Sequence, residues 1–561
     1  MKQETKTPSK NSVQVCQNCK KEFVIEPDDF SFYEKMDVPI PEKCPECRQQ
    51  LRMLFRNFKT LYKRSSSKSG KMIISVYNPD APFPVYDISE WWADNWDPMS
   101  YGIDVDWKKD FLKQLDHLFN TVPHVSIVNI QSENCEYSNQ VLRSKNCYLL
   151  FGCVDNEDCD YGHIVWNCRD SVDNLYLFKC ESCYECIDCL GSTKLLYSQE
   201  CESCVDSIGL FDCRNCLNCL GCVGQVSKSY YIFNKPVTKE KYKEFLLKYP
   251  LNDKNSINYI LKERNALSKT IPQRSFFGSH NNGVSGNHIY NAHNVHRSFD
   301  IKSGENSKFC FTVRKAIDSY DISFTGDLSE CYQALTMLDS NKVIGSHQIV
   351  DSHDIFYSDS CYNCDNIFGC YGLRKKQYCI LNKQFSKEEY FTLKEKIIEH
   401  MKKDGEWGNF FPSFMSPFAY NEAIVNEYMS LSKEEALSKG FKWKDNIPST
   451  KGQGTIEYKD LPKNPEDYSD KLLAEILTCS KCEKNYKLIN REVNFYKKNK
   501  LVLPEKCFNC RHEARMSKRN SRNLWKGICA KCDKEILTSY TPENQKIYKI
   551  YCEKYYQQEI Y

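Results

Sequence analysis

The chain has 561 residues, 32 of them cysteine, and a net charge of +3. That length implies several domains, and the near-neutral charge excludes a uniform polycation, leaving only local patches for an acidic partner. The start, MKQETKTPSKNSVQ, is polar with no secretory leader, and no apolar run is long enough to cross a bilayer, so the expected setting is a reducing cytoplasm, with zinc rather than disulfides using the paired thiols.

Residues 14–64 open with Cys16-x2-Cys19 and Cys44-x2-Cys47, with 24 residues between the pairs. Four thiolates so arranged make a closed tetrahedral zinc site. A knuckle, an apolar hairpin (KEFVIEPDDFSFY) and a final C-x2-C opening a helix predict a treble-clef ribbon, with the last pair at a helix N-terminus whose dipole favours thiolate. Arg48, Arg52, Arg56, Lys59 and Lys63 come next at steps of four, four, three and four, which predicts one basic face opposite Leu51, Leu54, Phe55, Phe58 and Tyr62. Residues 65–102 read as a degenerate second ribbon with Ser66, Ser69, Asp87 and Glu90 at its ligand positions, closed by Trp91, Trp92 and Trp96. A helix within 103–125 is expected to cap the start of a first repeat array.

In 126–232 every cysteine from Cys135 to Cys222 falls on one register of three, with Ser, Asn, Leu and Val filling the same register elsewhere. Residues 278–384 repeat this in another phase, through Cys310, Cys331, Cys361, Cys364, Cys370 and Cys379. Recurrent spacings of 21, as in Cys159, Cys180, Cys201 and Cys222, predict two parallel β-solenoid arrays of 21-residue coils with those four sulfurs in one interior column. The runs Cys180–Cys189 and Cys213–Cys222 resemble iron–sulfur ligand runs. Their last spacing is wrong for that and no proline comes after it, so the thiols are expected to act as small buried hydrophobes. Helical segments at 233–277 and 385–445 succeed the two arrays, each after an Asn-Lys step and a Thr or Ser N-cap. The joins GCVGQVSKSYYIFNKPVTKEKYKEF and GCYGLRKKQYCILNKQFSKEEYFTL mark the arrays as an internal duplication.

Residues 446–470, rich in Pro, Gly, Ser and charge, read as a linker. The ribbon then recurs at 477–527, with Cys479, Cys482, Cys507 and Cys510 at identical spacing, and Arg511, Arg515, Arg519, Arg522 and Lys526 matching the first basic stripe position for position. Residues 528–561 form an incomplete ribbon with Cys529, Cys532 and Cys552, and Tyr555 where a fourth cysteine would stand; Glu553 or a water is a candidate fourth ligand.

No nucleophile–base pair, phosphate-cradling loop or H-E-x-x-H motif assigns catalytic residues. The histidines gather as His280, His288, His293 and His296, then His347 and His353. The C-x2-C pairs, PEKCPECRQQ, IISVYNPD, WWADNWDP, the Cys-rich repeats and GEWGNFFPSFMSPFAYNEAIVNEY together resemble uncharacterised zinc-ribbon proteins of candidate-phylum bacteria that carry the treble-clef zinc-ribbon domain. That resemblance implies zinc at the four-Cys sites and no particular chemistry. The expected fold is β-rich, with zinc ribbons at both ends flanking two capped solenoids. The expected function is a non-enzymatic scaffold that binds nucleic acid along the two basic stripes. The alternatives are a protein-binding solenoid without nucleic acid, and a metal-dependent hydrolase on the His-bearing surface. No small-molecule substrate or membrane partner is indicated.

Overall fold

The computed structural model describes residues 11–560. The chain divides into two compact units, each assembled from two separated stretches: Met1–Ile127 with Gly278–Asn446, and Val128–Phe277 with Ile447–Tyr561. The N-terminal Cys cluster therefore shares a unit with the second array, and the C-terminal Cys clusters share one with the first.

Both arrays are parallel β-solenoids, but their coil is 12 residues long, not 21. In the first, Glu133, Lys145, Glu157, Arg169, Glu181, Thr193, Val205 and Leu217 lie opposite one another in succession, each 12 residues after the last. In the second, Phe299, Phe311, Ser323, Leu335, His347, Asp359 and Tyr371 do the same. Only its first coil is one residue shorter, with Asn282 opposite His293 and Val284 opposite Val295.

Left-handed backbone explains the register of three. Every third residue along most of each array has positive φ, as in Asn215 (51°), Asn218 (51°), Gly221 (59°) and Gly224 (61°), or Tyr357 (48°), Ser360 (54°), Asn363 (53°) and Asn366 (50°). Each such residue turns the chain, so a 12-residue coil has four corners, and the residue after each corner points inward. The left-handed region costs a typical L-residue about 1–2 kcal/mol and costs Asn, Asp and Gly less, which accounts for their frequency at corners.

Inside, every thiol has a place that serine fills equally well. Cys180 Sγ donates to the Phe178 carbonyl two residues back at 3.3 Å, and Cys213 Sγ to Phe211 at 3.4 Å. Ser198 Oγ and Ser207 Oγ do the same to Leu196 and Val205 at 2.9 and 2.8 Å. The register cysteines are buried throughout except Cys135, which is half-buried. Cys159, Cys180, Cys201 and Cys222 are all interior but do not form one column. A step of 21 is one coil plus three of its four sides, and true stacking neighbours are 12 apart, such as Cys135 and Cys147.

Each array ends on an asparagine that imitates the missing next coil. Asn234 accepts from Val223 N–H at 2.9 Å and donates to the Val223 carbonyl at 2.8 Å, and Asn382 does likewise to Tyr371, both at 2.9 Å. Those groups would otherwise be an open sheet edge. The helices Lys239–Lys248 and Lys387–Lys403 come next, N-capped by Thr238 and Ser386.

Four expectations about local structure change. The apolar stretch after each first knuckle is a short strand followed by a helix, Pro27–Lys35 or Asn490–Lys498, rather than a hairpin; Pro27 and the Glu26–Asp29 capping box start the first of these. The basic helices are only Pro45–Met53 and Phe508–Met516; after the first, Asn57 closes a turn with Thr60, donating to its carbonyl and accepting from its N–H. Lys63 and Lys526 then fall in strands. The helix Phe111–Thr121 packs on the second array, not the first, with Phe111 against Phe368 and Phe119 against Tyr371. Residues 447–470 lie along the C-terminal ribbon, where buried Tyr468 donates to the Leu501 carbonyl at 2.9 Å. Among the described residues no helix is long and apolar enough to cross a membrane.

Candidate metal centres

Four knuckles share one backbone geometry. Cys16 N–H donates to Lys21 O, and Lys20, at φ 62°, donates back to Cys16 O. Cys479 with Lys484 and Glu483, Cys529 with Lys534 and Asp533, and Ser66 with Lys71 and Gly70 repeat it. The loop thereby aims both residues of each pair at one point. The second pair is supplied by a helix start: Cys44 and Cys507 are N-caps, so Cys47 and Cys510 sit in the first turn.

Cys16, Cys19, Cys44 and Cys47 converge with all sulfurs within 4.8 Å of one another, as do Cys479, Cys482, Cys507 and Cys510, and the triplet Cys529, Cys532 and Cys552. Cys19 and Cys44 sulfurs are 3.7 Å apart, and so are those of Cys482 and Cys507. A disulfide needs about 2.05 Å. A tetrahedral ion with Zn–S bonds of ~2.3 Å needs an edge of about 3.8 Å, so both quartets fit a closed all-thiolate site. Their electrostatics are split: the Cys47 thiol and burial push Cys44 up, and burial raises Cys507 and Cys510, while one thiol in each quartet is lowered strongly. The Cys44 thiol, with smaller contributions from Asn18, Cys19 and Cys16, lowers Cys47 to about 5. Burial raises Cys479, but the amides of Cys507, Cys482 and Lys481 outweigh it and bring the thiol to about 6.

The Ser66 loop keeps the knuckle hydrogen bonds without the thiols. Ser66 Oγ donates to the Glu90 carboxylate, which also accepts from Asp87 N–H at 3.1 Å. Glu90 is held below the usual carboxylate range, because hydrogen bonds from Ser66, Ser69 and Asp87 outweigh its burial. A hydrogen-bonded carboxylate thus joins the elements a metal would join.

The basic stripes are not exposed. In the first unit Arg48 and Arg52 both reach Asp321, at 2.7 and 3.1 Å, with neither arginine more than 3% exposed. Arg52 also donates to Gln333 at 2.7 Å, and Arg56 hydrogen-bonds Thr336 and lies over the Phe324 ring. In the second unit Arg511 and Arg515 meet Asp173 at 2.6 and 3.0 Å, Arg515 meets Glu185 at 2.6 Å and Arg519 meets Asp188 at 2.7 Å. All six partners are solenoid corners with positive φ. They correspond across the duplication: aligning Cys222 with Cys370 puts Asp173 on Asp321, Glu185 on Gln333 and Asp188 on Thr336. Arg522 hydrogen-bonds Tyr176, and Lys59 pairs with Glu427 at 3.1 Å. Only Lys63 and Lys526 remain exposed, the latter beside Glu535 at 3.2 Å. The phosphate-contact reading of these arginines is therefore corrected: they are anchors, and their carboxylate partners are corner residues that no sequence motif marks.

His280 and His293 line an open cleft of about 550 Å³ with Glu305, Asn282 and Lys315. His296 hydrogen-bonds Ser285 and Asn294 at 3.3 and 3.1 Å, and His347 meets Asp359 at 3.0 Å. Among the described residues His280, His293 and His296 join no group close enough to share an ion. Glu553 is likewise outside the triplet, facing Arg274 at 3.6 Å. No family model matches the chain, and comparison with curated proteins and with solved structures returned no match.

Proposed function

We propose that the chain is a non-enzymatic scaffold whose two four-Cys centres hold zinc as a structural metal. The observation that carries this is the pairing of each quartet with a buried arginine dock. The second Cys pair starts the helix, and Arg48 and Arg52, or Arg511 and Arg515, leave that helix for a solenoid corner with almost no exposure. A metal so placed fixes the ribbon, and the ribbon covers the solenoid. All-thiolate donors with edges of 3.7 Å suit zinc.

The test against nucleic acid is binding to mixed RNA and DNA at two salt concentrations. Phosphate contacts along the stripes would give a slope of roughly −0.9 per neutralised phosphate on duplex DNA. The scaffold reading expects no such steep dependence. A steep slope lost on replacing exposed Lys63 and Lys526 with Glu would overturn it.

A further inference from the structure

Cys529, Cys532 and Cys552 hold the geometry of a complete site with one corner missing. Their sulfurs lie within 4.8 Å of one another, and Cys532 and Cys552 are 3.9 Å apart. Cys552 N–H donates to Cys529 Sγ at 3.3 Å, as Cys44 N–H does to Cys16 Sγ at 3.2 Å. Three residues after Cys552, where Cys47 stands after Cys44, is Tyr555, which packs against the cluster. Glu553 lies outside the group of converging ligand atoms, its Oε1 facing Arg274 at 3.6 Å and accepting from Gln557 at 2.8 Å.

In the degenerate ribbon all four ligand positions have changed together, and Glu90 has taken over the junction with Ser66 and Asp87. Here three thiols persist with no such substitute. Cys529 is buried, while Cys532 and Cys552 are partly open to solvent.

We propose that this triplet binds zinc and leaves its fourth position to an exogenous thiolate, an inference that rests on the zinc reading of the two quartets. A closed four-Cys zinc site carries two net negative charges, whereas three thiolates carry one. The triplet therefore accepts one more anionic soft donor, and exposed Lys531, Lys534 and Lys554 beside the thiols in sequence favour it. On binding, the incoming thiol loses its proton to solvent as its sulfur joins the metal. Sites with three protein ligands and an open position are those that exchange a fourth ligand.

The test uses the full chain loaded with cobalt, whose visible bands report the donor set. Wild type is expected to take three cobalt ions, and Cys552→Ser two. Adding 2-mercaptoethanol should shift the bands of about one ion in three, and imidazole should shift them less. Tyr555→Cys should still take three ions and lose the response to thiol, which keeps the test valid if Cys552→Ser folds poorly. Two ions in both wild type and Tyr555→Cys would refute the third site and spare the quartets, whereas none at all would sink both readings. Three ions with no response to thiol would show a closed site and overturn the proposal.

Discussion

Arg515 reaches Asp173 at 3.0 Å with neither side chain exposed, and Arg52 reaches Asp321 at 3.1 Å in the same condition. A buried pair is not itself a large source of stability, but removing one partner strands the other and costs about 3–5 kcal/mol. Asp173→Ala is therefore expected to lower the stability of its unit by that amount in urea unfolding. Combining it with Arg515→Met should cost less than the sum of the two single changes. A cost for Asp173→Ala within experimental error of zero would remove the dock from the account.

The corner rule gives a second prediction. Asn215 is exposed with φ 51°, so its side chain matters little and its backbone matters a great deal. Asn215→Val should destabilise by roughly 1–2 kcal/mol, while Asn215→Gly should be near neutral. Thermal melts of the two variants check this, and equal effects would mean that corner strain is not what selects Asn.

Interior thiols should be exchangeable for hydroxyls. Cys201 Sγ donates to the Gln199 carbonyl at 3.2 Å, the bond Ser198 makes to Leu196. Cys201→Ser should leave metal content unchanged and cost no more than about 1.5 kcal/mol, the loss of a small apolar contact offset by a better hydrogen bond. Stoichiometric iron with visible absorbance that disappears in this variant would return the runs Cys180–Cys189 and Cys213–Cys222 to cluster chemistry.

The register of three was legible from cysteine spacing because only the residue after each corner faces inward. The coil length was not. Every multiple of three returns to an interior position, so thiol spacings cannot distinguish 12 from 21. The outward residues could have done so: Glu133, Lys145, Glu157, Arg169 and Glu181 alternate in sign at steps of 12, and Arg169 pairs with Glu157 at 2.8 Å. The converging thiols were readable from C-x2-C spacing and flanks. The fate of the arginines was not, because a charged stripe looks the same whether water or carboxylates face it. Asp173 and Asp321 lie far away in sequence and read as ordinary corner residues.

The same separation sets the consequence of metal loss. If zinc holds Cys44 and Cys507 at their helix starts, the arginines four and eight residues later are placed by it. Chelation should then release both helices from their solenoids, and Asp173, which burial holds up at about 6 in the dock, should fall back toward the usual carboxylate range once freed. The solenoid ladders, which pair coil to coil without the ribbons, should persist in far-UV circular dichroism.

Elemental analysis of the purified chain joined to hydrogen exchange before and after chelation tests the central claim most directly. The account predicts at least two zinc ions per chain, and loss of amide protection on chelation in residues 45–53 and 508–516 together, with the inner coils still protected. No bound zinc, or two helices that stay protected once zinc is gone, would contradict it.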